Sequence, residues 1–127
     1  MINSSTGSRV LVLCCCAAFF VAGVLFARGV EKPKSVIHVV TLDWASGASK
    51  ADIQRALDGV AKMGESYEGI TRVWLRSIKS QTKQAAFVME FESEQALEDY
   101  AGSDAQKEWY KAYMPVRGSS TTSDITN

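Results

Sequence analysis

The sequence predicts an α+β domain of the ferredoxin-like, split βαβ kind, with a four-stranded antiparallel sheet spanning residues 35–127. Three observations predict it. Stretches of period-two apolar spacing alternate with stretches of three-and-four spacing in the order β-α-β-β-α-(α)-β. The two middle strands are joined by a turn so short that they must pair as a hairpin. The apolar stretch before them is cut off from the domain by the charged linker Glu31-Lys32-Pro33-Lys34.

The first strand is Ser35–Trp44, with Val36, His38, Val40 and Leu42 on one side and Ile37, Val39, Thr41 and Asp43 on the other. Ala45-Ser46-Gly47-Ala48 is a turn. Ser49-x-x-Asp52 is a capping box, in which each side chain satisfies the other residue's free backbone N–H. The helix it starts keeps Ile53, Leu57 and Val60 on one stripe, with Ala56 and Ala61 beside them, and Gly64 is expected to stop it. The second strand is expected over Ile70–Lys79, with Ile70, Trp74 and Ile78 alternating against Thr71, Val73, Leu75 and Ser77. After the polar turn Ser80–Lys83 comes a third strand, Gln84–Glu92, with Ala85, Phe87, Met89 and Phe91 on one face. Ser93 caps the next helix, whose inner side carries Ala96, Leu97 and Tyr100, and Gly102 breaks it. Ser103 starts a last helix bearing Trp109, Tyr110 and Tyr113, which Pro115 ends. A short final strand is expected around Ser120–Thr126.

Residues 1–34 read as a signal peptide or membrane anchor plus linker. No charged residue occurs from Val10 to Ala27, between Arg9 and Arg28. That run lies between a cleavable signal core of about 7–15 residues and a span of about 20. Cleavage before Val30 and retention as an anchor both fit. More positive charge follows the segment than precedes it, which by itself argues for a cytoplasmic domain. A short polar N-terminus followed at once by an apolar core is nevertheless the export pattern, so the periplasmic or extracellular side is favoured. Membrane contact is expected only through this segment.

All three cysteines lie within it, so the domain has no disulfide, no thiolate nucleophile and no cysteine zinc site. With His38 as the only histidine, no metal site is expected, and no cofactor is called for. From Ser35 onward the chain carries 10 basic and 13 acidic residues, a net of −3, which leaves no electrostatic footprint for nucleic acid. The first three strands are apolar on both faces, whereas one layer of helices covers only one. The bare face calls for a partner, and the simplest is a second copy of the chain, joined through the sheet faces.

Three segments resemble a known family. They are Val36-Ile37-His38-Val39-Val40-Thr41-Leu42, Glu68-Gly69-Ile70, and the run from Ala86 through Glu90-Phe91-Glu92-Ser93-Glu94 to Tyr100. In order and spacing they resemble the stress-responsive dimeric α/β-barrel (Dabb) domain proteins. The resemblance implies a homodimer whose two sheets pack face to face into a barrel. Some members are polyketide cyclases that close an aromatic ring by aldol condensation, with a histidine base and an assisting tyrosine. By resemblance His38 matches the first-strand histidine and Tyr100 the helix tyrosine. The family usually continues Tyr-x-x-His-Pro-x-His, but this chain reads Tyr100-Ala101-Gly102-Ser103-Asp104-Ala105-Gln106. Gln106 stands where the cyclases keep their base, and an amide takes up no proton at neutral pH.

His38 is the one residue able to act as acid or base near neutrality, or else a hydrogen-bonded core histidine. Tyr100 either donates a hydrogen bond in a pocket or packs under its helix. Ser103 and Gln106 form a capping box of their own. Trp109, Tyr110 and Tyr113 either line a cavity for a small apolar or aromatic ligand or belong to the core. Three functions are open: a non-catalytic or small-molecule-binding dimer, a polyketide-cyclase-like enzyme using His38 and Tyr100, and, by fold analogy alone, a haem-binding or monooxygenase-like protein.

Overall fold

The computed structural model describes residues 29–127. Pro33–Asn127 form a compact unit. The apolar segment Val10–Ala27 and the expectations attached to it lie outside the described residues. Among the described residues, no helix is long and apolar enough to cross a membrane.

The elements are β1 (Val36–Trp44), α1 (Lys50–Ser66), β2 (Ile70–Trp74), β3 (Ala85–Phe91), α2 (Glu94–Tyr100), α3 (Asp104–Tyr113) and β4 (Arg117–Ile125). The sheet has four antiparallel strands in the order β2-β3-β1-β4, the ferredoxin-like arrangement. In the β1–β3 register, Val36, His38, Val40 and Leu42 stand opposite Phe91, Met89, Phe87 and Ala85. That set faces the helices, because Val36, Val40, Leu42, Phe87, Met89 and Phe91 join Ala56, Val60, Met63, Ala96, Tyr100, Trp109 and Tyr113 in one core.

Serine caps open all three helices. The oxygens of Ser49, Ser93 and Ser103 accept the backbone N–H of Asp52, Ala96 and Gln106. The first box is only half formed as expected: the Asp52 carboxylate takes the Ser49 hydroxyl (2.7 Å) and Arg55 (2.6 Å), not a backbone N–H.

Three boundaries and one alternation depart from the sequence reading. Helix α1 runs past Gly64 to Ser66 and is capped by Tyr67, whose N–H returns to Met63. Gly64 serves contact instead: a Cβ there would lie 3.1 Å from Val73 Cγ1, so its absence lets α1 sit close on β2. Strand β2 ends at Trp74, not Lys79. Continuing its ladder would set Ile78 opposite Gln84. But the Asp43 carboxylate takes the Gln84 N–H (3.1 Å) and Lys83 Nζ (2.8 Å), drawing that end of the hairpin toward β1. A bulge between Ile70 and Arg72 also inverts the expected alternation, so Trp74 lies on the opposite face from Ile70. Strand β4 begins at Arg117 rather than Ser120, because a bulge lets its ladder with β1 resume at the Arg117–Trp44 pair beyond Ser120–Leu42.

The face away from the helices carries Ile37, Val39, Val88 and, 46% exposed, Trp74, with Ile125 at 58%. Within it, Glu90 is 3% exposed and receives a two-pronged bond from Arg72, whose guanidinium also lies 5.6 Å over the Trp74 ring. That guanidinium holds the Glu90 carboxyl below its ordinary range.

Candidate functional site

A small cavity of about 100 Å³ opens between α3, the end of α2 and the helix-facing side of β1 and β4. His38, Tyr100, Trp109, Tyr110 and Tyr113 all line it, so the fold brings together every residue singled out from the sequence as a candidate.

Each is set there by a local rule. His38 shares β1 parity with Val36 and Val40, and its side chain is 15% exposed. Its Nδ1 lies 2.6 Å from Asp124 Oδ1, on the β4 residue directly opposite. An ionised carboxylate only accepts, so Nδ1 carries the proton and Nε2 is left as the basic nitrogen. The imidazole edge packs on Phe91 (5.9 Å), which in turn lies 5.1 Å from Tyr100.

Tyr100 closes α2. Its hydroxyl is buried and has no hydrogen-bond partner among the described residues, and the Tyr113 hydroxyl shares that condition. Burial pushes the Tyr100 phenol well above its ordinary range, and Gln106 beside it offsets only part of that rise. Burial also pushes Tyr113 up, against the opposing charge of Arg117 and the hydroxyl of Ser120. Both phenols therefore stay protonated at neutral pH and act as donors. Gln106 caps α3: its Oε1 accepts the Gly102 N–H at 2.7 Å, one residue earlier than a strict capping box.

Trp109 and Tyr113 stack at 4.4 Å and 11° between planes. Trp109 Nε1 also donates to Ala56 O (2.9 Å), fastening α3 to α1. This indole is at once core strut and cavity wall. Tyr110 sits at the edge, half exposed.

Arg117, Ser120 and Thr122 also line the cavity, Asp124 bonds the lining residue His38 from outside it, and the sequence reading missed all four. Their signal was the period-two run Ser120, Thr122, Asp124 on a strand that pairs with the one bearing His38. Among the described residues, no group of His, Cys, Asp or Glu side chains could hold a metal ion.

A family profile described as "Stress responsive A/B Barrel Domain" matches residues 36–127. No curated protein matches the chain. Solved structures that share the fold include the following three. One is a dimeric ferredoxin-like protein of unknown function from Thermobifida fusca (8% identity, 79% of this chain and 97% of that one, TM-score 0.63). Another is a Dabb family protein from Mesorhizobium loti (19%, 73% and 96%, 0.62). The third is SnoaB, a cofactor-independent oxygenase from Streptomyces nogalater (12%, 74% and 93%, 0.62). At these identities the structures speak for the fold, and the profile speaks for the family. With the match covering the whole sheet and all three helices, the chain belongs to the stress-responsive α/β-barrel (Dabb) domain family.

Proposed function

We propose that this chain is a homodimeric barrel protein that binds a small molecule in the cavity beside His38, and that Val10–Ala27 exports it or tethers it to a membrane. One observation carries the binding reading. Tyr100 and Tyr113 line the same cavity, and the hydroxyl of each is buried without a partner of hydrogen-bond geometry among the described residues. An unsatisfied buried hydroxyl costs about 1–3 kcal/mol, so two of them in one cavity are donors waiting for an acceptor. The dimer reading is supported by the apolar outer face, by family membership and by the dimeric state of the Thermobifida neighbour. Native mass spectrometry of the full chain from its own host tests both together. A dimer mass with a retained small molecule is expected; a ligand-free monomer contradicts the proposal.

A cyclase-like enzyme is the second reading, favoured by the Asp124-oriented imidazole. His38 Nε2 would take a proton from carbon next to a carbonyl while the Tyr100 hydroxyl holds the carbonyl oxygen. Turnover of an aromatic-precursor substrate that disappears in His38→Ala supports it. Turnover unchanged in that variant removes it. A cavity of about 100 Å³ within one protomer is too small for a haem, and no observation at the site favours that alternative.

A further inference from the structure

Ordinary strand alternation would not put Arg117 in the cavity. Ser120 stands opposite Leu42 and Arg117 opposite Trp44, so three steps along β4 match two along β1. This bulge moves Arg117 onto the side of Ser120 and Thr122, where it lines the cavity at its exposed edge. Gly118 permits the bulge: a Cβ there would fall 2.5 Å from Asp43 O and 3.0 Å from Trp44 O, both backbone atoms. Among the described residues, Arg117 has neither an ion-pair nor a side-chain hydrogen-bond partner, in contrast to Arg55 and Arg72.

The polar groups around the cavity are unevenly matched. Arg117 is a permanent cation, and the buried Tyr100 and Tyr113 hydroxyls, beside Gln106 and Ser120, reach no acceptor with full hydrogen-bond geometry among the described residues. No carboxylate lines the cavity, and the one that reaches a lining side chain, Asp124, is committed to His38. A cationic ligand would meet Arg117 with nothing to balance it. A neutral one would leave the guanidinium unused.

We propose that the cavity takes a small carboxylate, with Arg117 holding the anionic group at the mouth and selecting it over neutral analogues. This rests on the small-molecule reading above and adds the ligand's charge to it. At about 100 Å³ the cavity encloses only a few heavy atoms of a ligand, and any larger part extends out through its mouth.

The test is an NMR titration of the full chain with butyrate and with its neutral counterpart butyramide, repeated in Arg117→Gln. Butyrate should shift the His38 and Tyr113 ring resonances and bind at least about tenfold more tightly than butyramide. Arg117→Gln should abolish that preference while leaving the fold, followed by amide spectra, unchanged. Equal binding of the two probes, or a preference that survives Arg117→Gln, overturns the assignment to Arg117 and leaves the pocket standing. If neither probe shifts the cavity resonances, the pocket reading falls and the carboxylate assignment falls with it.

Discussion

His38 and Asp124 lie 86 positions apart in the chain and 2.6 Å apart in space, on facing positions of the β1–β4 ladder. The pairing fixes which imidazole nitrogen carries the proton. In a neutral ring the pairing puts the proton on Nδ1 and leaves Nε2 to accept. Asp124→Ala should release that constraint and shift the neutral ring toward a mixture of tautomers, read from imidazole ¹⁵N shifts. Because Asp124 is half exposed, the cost in stability should stay near 1 kcal/mol. A ring that keeps the same tautomer in Asp124→Ala would show that the carboxylate does not set it.

Glu90 and Arg72 make stability depend on pH. The Glu90 carboxyl is held below its ordinary value, so its stabilisation is fully present above the unfolded-state value of about 4.3. It fades as pH falls through the lower, folded-state value. Arg72→Ala leaves a buried carboxylate without its partner and should cost about 1–3 kcal/mol at pH 7. That penalty should shrink toward pH 3 as the carboxyl protonates. Urea titrations at fixed protein concentration, from pH 3 to 7, measure it. A penalty independent of pH would remove the ion pair as its cause.

Much of the fold is legible in the sequence because its signals are local. Alternation on β1 assigned both faces of that strand, and three serines marked three helix starts. What escaped was non-local. The early end of β2 depends on Asp43 capturing Lys83 and Gln84, about 40 residues away. The bulges that turn Trp74 and Arg117 to other faces arise in strand pairing, which no single segment encodes. The site shows the same division. Its aromatic wall and histidine come from strongly patterned elements. Its Asp124, Ser120 and Arg117 come from a Ser/Thr-rich strand that is expected but whose low apolar content does not show which face packs inward.

Gly118 ties the bulge to the site. Gly118→Ala should destabilise the protein by about 1–3 kcal/mol, because backbone oxygens on β1 cannot yield as a flexible side chain would. Thermal melting measures the loss. Amide shift changes should concentrate at Asp43, Trp44 and Arg117. A variant as stable as the wild type would mean that β4 can shift its register without strain.

The outer sheet face sets the oligomeric state in the proposed dimer. Val39 lies near the middle of that face, opposite Val88 and Ser123. A stable interface of about 1,600 Å² cannot accommodate an unpaired carboxylate at its centre. Val39→Glu should therefore sediment as a monomer at micromolar concentration while the wild type sediments as a dimer. A variant that remains dimeric would place the interface elsewhere.

The two buried tyrosine hydroxyls mark the cavity as a ligand site, and removing each one probes that assignment. A buried tyrosine that is hydrogen-bonded loses about 0.5–1.5 kcal/mol when changed to phenylalanine. Among the described residues, Tyr100 beside Gln106 and Tyr113 beside Ser120 make no contact of full hydrogen-bond geometry that the free protein could lose. Chemical denaturation of ligand-free Tyr100→Phe and Tyr113→Phe should give stabilities equal to or above the wild type, by up to about 1 kcal/mol. That result is what donors held open for a ligand predict. A loss of 1 kcal/mol or more in both variants would mean that the hydroxyls are already satisfied, and would contradict the assignment of the cavity as a ligand site.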